Sequence, residues 1–343
     1  MISTTLFGQL LRDEMERPCF IPPGTNSSQS RTLSFLLGGF PVWETTRMWS
    51  VPLCFMYLLA LLGNLTILAI IGTDQSLHVP MYLFLAMLAV ADLGLSTSTF
   101  PTMLRMLWLE DREISFGTCL AQMFFIHIFA DIESAVILAM AFDRYVAICH
   151  PLRYSSILTN SVTTKICVAI IMRATVVLFP LPVLLSQLCF TRVRKLSHPY
   201  CLHPDIIKHA GSDVRIHSTY GLFVLLSTLG LDLLFVLLSY LFILKTILSV
   251  ATWRGRLKAL NTCISHICAV LLFFIPMICL SMMHQFIKHV SPQAYTFTAN
   301  LHFLVPPILN PIVYSVKTKR IRRRMLEMVC QRELHKARGG ICQ

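Results

Sequence analysis

The chain has 343 residues, of which 55% are hydrophobic and 13% charged, with a mean hydropathy of +0.67. A soluble globule carries about a quarter of its residues as charges, so this composition excludes one and makes the bilayer the solvent. The formal charge of +12 does not point to nucleic acid, because basic groups beside hydrophobic spans reflect topology and anionic headgroups.

Residues 1–47 read as an extracellular N-terminal segment. Met1 to Leu11 lacks the basic start and long apolar core of a secretory signal, so insertion is expected to rely on the first span. Asn26-Ser27-Ser28 is a glycosylation sequon if this end faces the lumen, and residues 1–21 show no assignable pattern. Seven apolar segments follow, each near the roughly 20 residues that a bilayer core requires. They run Met48 to Ile71, Pro80 to Leu104, Phe116 to Cys149, Val162 to Leu188, Ser218 to Leu248, Ala259 to Met283 and Ala294 to Val316. The predicted fold is an all-α membrane protein: a seven-transmembrane helix bundle over residues 48–316, with a short amphipathic cytoplasmic helix in the tail, 317–343.

Most of the positive excess sits in that tail, with Lys317, Lys319, Arg320, Arg322, Arg323 and Arg324 in its first turns. The excess of Lys and Arg on cytoplasmic segments puts the C-terminus inside and the N-terminus outside, in a multi-pass plasma-membrane protein. Ile321, Met325, Met328 and Val329 oppose the basic face, so the segment is expected to lie on the anionic inner leaflet as well as to stop transfer.

Within the third segment, Asp143-Arg144 closes some 25 mostly apolar residues, and Pro151 ends the helix by removing a donor and biasing His150 away from helical geometry. Charge there fits a water interface and a conformational switch, or a plain anchor. His127, Asp131 and Ser134 recur at i, i+4 and i+7 and share one face, whereas Glu133 points elsewhere. His127 reads as a ligand contact or a helix-bridging donor, and Asp131 as a ligand contact or the partner of His127.

The twelve cysteines divide by location. Cys119 heads the third span and Cys201 lies in the long outer loop, on the oxidising side, where a bridge pins the loop to the bundle. Span cysteines are small apolar fillers, and Cys330 is either a palmitoylation site or a free thiol. No Cys or His cluster has metal spacing, and no nucleophile, base and orienting group converge as in an enzyme. A transporter or channel is the alternative, since polar span residues also line permeation paths, although the chain lacks an internal repeat.

Taken together, Gly63-Asn64, Pro80-Met81-Tyr82-Leu83-Phe84-Leu85, MAFDRYVAICHPLRY at Met140 to Tyr154, Ser239-Tyr240, Lys258-Ala259-Leu260-Asn261-Thr262-Cys263 and Asn310-Pro311-Ile312-Val313-Tyr314 resemble an olfactory receptor, a rhodopsin-like G-protein-coupled receptor. The resemblance covers roughly Phe35 to Met328. Gly39-Phe40-Pro41, His127 with Glu133-Ser134, Arg173, and Leu196 to His203 (LSHPYCLH) are similar to its fish-like class I subgroup. Gly211 stands where a third loop cysteine often lies, which leaves Cys189 without an evident partner.

The resemblance implies a small odorant bound by His127, Ala130, Asp131, His203, Ser281, His284 and Gln285. It implies a resting Arg144 held by Asp143, released when helix six moves outward. Tyr145, Tyr240, Asn310, Pro311 and Tyr314 belong to the same switch, which faces a heterotrimeric G protein of the stimulatory olfactory type that raises cyclic AMP. It also implies a sodium ion between Asp92 and Glu133, or else a protonated carboxyl bridging helices; no other cofactor is expected. Gln285 replaces an arginine that some class I receptors use for carboxylates, removing a bidentate fork. With Asp131 adding negative charge, a neutral or amine-bearing odorant is expected.

Overall fold

The computed structural model describes residues 34–38, 50–188, 190, 195–211, 213–250, 252–286, 291–318 and 320–327. The sequon at Asn26, Cys189, Cys330, the stretch 1–21, and Met328 and Val329 lie outside the described residues, as do the side chains of His284 and Gln285.

The spans form α1 (Ser50–Thr73), α2 (Pro80–Trp108), α3 (Phe116–Cys149), α4 (Asn160–Ser186), α5 (Arg215–Ser249), α6 (Trp253–Phe286), α7 (Pro292–Leu304) and α8 (Pro306–Lys317). Local chemistry sets their ends. Ser115, Thr159 and Ser291 cap α3, α4 and α7 by accepting from Thr118 N, Val162 N and Ala294 N, which satisfies otherwise orphaned first-turn donors. Pro80 opens α2 and Pro151 terminates α3, as proline geometry requires.

Among the described residues six helices are long and apolar enough to cross a membrane. The seventh expected span is present as two consecutive helices, α7 and α8, interrupted at Val305 ahead of Pro306 and Pro307. Helix six starts at Trp253, earlier than the sequence places it, because hydropathy marks only the apolar part of a helix whose first turns carry Arg254, Arg256 and Lys258. Outside the bundle lies a feature that hydropathy does not reveal: β1 (Ser34–Leu36) pairs antiparallel with β2 (Glu113–Ser115), Phe35 opposite Ile114. The bundle itself is helical throughout its described part.

Burial makes α3 the axis of the molecule. Its most apolar stretch is 72% buried against 22% for α5, so α3 is wrapped by neighbours while α5 shows its apolar side to lipid. Pro311 supplies one further lock. It has no N–H for the Pro307 carbonyl four residues back, and Asn64 Nδ2 donates to that carbonyl at 2.8 Å as well as to Ala60 O at 2.9 Å. A buried acceptor freed by proline is thereby paired. Gly63 permits the approach, since a Cβ there would stand 2.9 Å from Pro311 Cβ.

Candidate functional site

The end of the bundle that holds Cys119 is closed by a lid. Cys119 and Cys201 are joined, with Cα atoms 5.5 Å apart, as the sequence anticipates. Cys201 N donates to Gln122 Oε1 at 3.0 Å, and Gln122 Nε2 donates to Ser98 O and Thr102 Oγ1. Leu196 N donates to Leu36 O at 2.8 Å and Gly38 N to His198 O at 3.1 Å, so the N-terminal strand stitches the loop down. Beneath it, buried Asp205 accepts from Ser197 N at 2.6 Å and from His198 Nδ1 at 3.1 Å. Burial pushes the Asp205 carboxyl up, but the His198 hydrogen bond and charge, the Ser197 N–H and the Lys208 charge more than offset this and hold it below its ordinary value.

Under the lid a cavity of about 150 Å³ lies between α3, α4, α5, α6, α7 and the loop. His127, Ala130, Asp131, His203 and Ser281 all line it, so five of the seven expected contact residues converge. Ser281 Oγ donates to Met277 O at 2.9 Å. Gly221 lets α5 approach, because a Cβ there would stand 2.7 Å from His203 Cε1. His302, which the sequence reading did not select, also lines the cavity and packs its ring 5.1 Å from Phe273.

Of the two alternatives for Asp131, the structure does not show the pairing with His127. The His127 ring Nδ1 meets Met123 O at 2.8 Å, one turn back on its own helix. Asp131 Oδ1 instead accepts from Arg173 Nη2 at 3.2 Å. Arg173 spends most of its fork on Asp232, at 2.7 Å from Nη1 and 2.8 Å from Nη2, and Ser134 Oγ donates to the same carboxylate at 2.9 Å. This network ties α3, α4 and α5. Arg173 was noticed only as a subgroup mark, and Asp232 was missed, although an acid within the apolar run Leu231 to Phe235 is itself a signal. Five residues of π-helix, Leu226–Gly230, precede Asp232, and such widened turns cluster at functional sites.

Half-way down, Asn310 Nδ2 donates at 3.2 Å to Asp92 Oδ1, Asp92 Oδ2 and Glu133 Oε1. One amide has two hydrogens for these three acceptors. Glu133 Oε2 and Ser96 Oγ are buried without a hydrogen-bond partner. An all-oxygen cluster that is short of positive charge and of donors suits a hard cation.

At the end opposite the lid, Arg144 donates to Asp143 Oδ2 from Nε at 3.0 Å and again from Nη2, and Tyr154 OH donates to Asp143 Oδ1 at 2.7 Å. Arg144 Nη2 also touches Met81 Sδ. Tyr145 OH meets His150 Nε2 at 3.2 Å. Tyr314, fully buried, points its hydroxyl at Met140 Sδ at 3.8 Å. Tyr240 OH lies 2.7 Å from His266 Nδ1, whose Nε2 reaches Ile137 O at 2.9 Å. His266 therefore bridges α3, α5 and α6; the sequence reading passed over it because a lone span histidine carries little signal.

The family profile described as Olfactory receptor matches residues 53–332. The chain belongs to the olfactory receptor family. It is 53% identical over 306 residues to human olfactory receptor 51G2, covering 89% of this chain and 98% of that protein. It is 50% identical to human olfactory receptor 51E1, covering 88% of this chain and 95% of that one. Against mouse olfactory receptor 51E2 the identity is 47%, with 86% and 92% covered. The protein is a multi-pass G-protein-coupled odorant receptor, and this membership decides against the transporter or channel alternative and against an enzyme.

Proposed function

We propose that the receptor sits in the plasma membrane with residues 1–47 outside, residues 48–316 as the bundle and residues 317–343 in the cytoplasm. It binds a small odorant in the cavity lined by His127, Ala130, Asp131, His203 and Ser281, with His284 and Gln285 at the outer end of α6. Binding activates a stimulatory, olfactory-type G protein and raises cyclic AMP. The observation that carries this reading is the placement of both ends of the device on one buried helix. Asp131 faces the cavity and Arg144 is latched by Asp143 at the cytoplasmic end, about 20 Å apart at about 1.5 Å per residue.

The mechanism is a population shift. An odorant that binds one of two bundle packings more tightly moves the equilibrium by that difference in affinity alone. In the resting packing Arg144 is held by Asp143, Tyr240 by His266, and Tyr314 faces Met140. Activation swings α6 outward, frees Tyr240 and Tyr314 to turn toward Arg144, and opens a groove for the G protein. A sodium ion among Asp92, Ser96, Glu133 and Asn310 favours the resting packing. The basic tail lies on inner-leaflet lipid. Arg324 Nε donates to Asp74 Oδ2 at 2.5 Å, tying the tail to the α1–α2 turn.

The test is a ligand screen with a cyclic AMP readout. Arg144→Ala should abolish the stimulated signal while surface expression is retained. A normal response from Arg144→Ala, or a ligand-dependent current without G protein, sinks the reading.

A further inference from the structure

We propose that the cavity is built for a small protonated amine whose ammonium docks on the free Oδ2 of Asp131. The inference rests on reading this cavity as the odorant site, and it deepens that reading by naming the ligand's charge. Asp131 is 4% exposed and lines the cavity. Its Oδ1 has one contact, at 3.2 Å, from an Arg173 nitrogen that lies closer, at 2.8 Å, to Asp232. Its Oδ2 has no hydrogen-bond partner among the described residues. The neighbouring Thr228 hydroxyl lies within reach of the Asp131 carboxyl but spends its proton on Val224 O at 2.8 Å, and His127 Nδ1 is engaged at Met123 O.

Charge balance gives the same answer. Asp131 and Asp232 face a single guanidinium, Arg173, and Asp232 takes its fork bidentately together with the Ser134 hydroxyl. With both acids ionised one negative charge is left over, on the acid with the poorer set of donors, and a bound cation is what holds that acid in its charged form. A buried charge of this kind is costly unless a counter-charge is supplied. A ligand ammonium supplies it and pairs the vacant oxygen through a charge-assisted hydrogen bond, about twice as strong as a neutral one. A carboxylate ligand meets the opposite situation: it would bring a further negative charge beside Asp131 and Asp232, and the two terminal nitrogens of Arg173 are already engaged by those acids, leaving only its Nε unpaired among the described residues. Much of the remaining wall is apolar, with Leu181, Leu202, Met277, Leu280 and Phe303, and its other ionisable side chains are His127, His203, His302 and Tyr295. Its volume of about 150 Å³ matches a cavity that takes a benzene-sized body.

The experiment compares n-pentylamine, 1-pentanol and pentanoic acid for binding to the purified full-length receptor in nanodiscs, without G protein. The amine should bind the native receptor at least about tenfold more tightly than the alcohol, and the acid least well. Asp131→Asn should cost the amine about 10- to 100-fold, the range for a hydrogen bond to a charged group, and leave the alcohol within a few-fold. Equal binding of alcohol or acid, no binding of the amine, or an amine affinity untouched by Asp131→Asn overturns the proposal. If Asp131→Asn does not fold, the order on native receptor and retention of amine binding by Asp131→Glu decide the question. A receptor that binds the amine but raises no cyclic AMP sinks the signalling reading and leaves this one standing. One that signals to alcohols and binds no amine does the reverse.

Discussion

His266→Phe should raise signalling in the absence of any odorant. The substitution keeps a flat ring of similar size, so the stacked contact with Tyr240, with centroids 5.7 Å apart, is preserved. What disappears is the pair of hydrogen bonds to Tyr240 OH and Ile137 O. The Ile137 carbonyl still receives its own helical bond, so the loss is close to two neutral hydrogen bonds, about 2 kcal/mol at about 1 kcal/mol each. If both are made only in the resting packing, the equilibrium moves about 30-fold, since 1.4 kcal/mol is tenfold. A receptor about 1% active at rest, within the usual range for a minor state, would become about one-fifth active. Basal cyclic AMP per surface receptor in transfected cells measures this directly. Tyr240→Phe is the contrast: it removes a resting contact and also the hydroxyl meant to reach Arg144, so it should raise basal output far less. Basal output of His266→Phe unchanged at equal surface expression refutes the argument, because the bridge would then be common to both packings. A fall in output would assign the bridge to the active packing.

Replacing potassium with sodium at constant ionic strength should lower basal signalling of the native receptor, and Asp92→Asn should remove that dependence; a sodium effect that survives Asp92→Asn would place the ion elsewhere. The lid carries a pH signature. Asp205 is held below its ordinary value of 3.8, so its charged form stabilises the fold above the ordinary carboxylate range, and that contribution fades as pH falls through the folded value. The melting temperature of purified native receptor should exceed that of Asp205→Asn at pH 7 and at pH 5, with the gap closing below about pH 4. A gap that stays constant down to pH 3 would show that the carboxylate charge is not what holds the lid.

The spans were legible because hydrophobic length is a one-dimensional property, and the disulfide because one cysteine heads a span and the other lies in the long loop at the same end of the bundle. The cavity residues on α3 were legible because i, i+4, i+7 spacing sets one face. Partners across helices were not. Nothing local to Asp131 announces that Arg173, 42 residues on, will reach it, so of partners within the chain only the neighbouring His127 offers itself in the sequence. The ribbon of β1 and β2 was invisible for the same reason, its pairing being made across 79 residues between segments too short to show alternation. The two helices of the seventh span were foreshadowed by Pro306-Pro307, yet apolar length alone runs straight across the break.

The order of layers along α3 explains why one helix can transmit a ligand's arrival. From the lid end to the far end it presents Gln122 to the lid, Asp131 to Arg173, Glu133 to Asn310, the Ile137 carbonyl to His266, and Arg144 to its own neighbour Asp143. The first four layers engage the lid, α4, α8 and α6 in turn, so a small shift of α3 is felt by several polar contacts at once. Polar contacts in hydrocarbon have no water to fall back on, so they exchange between discrete arrangements rather than stretching gradually. An ammonium at Asp131 would weaken the hold of Arg173 on α3 while leaving its grip on Asp232. That loosens α3 from α4 beside the π-helical turn of α5, while Ser134 still ties α3 to Asp232, and the nearest contact below that also reaches α6 is His266.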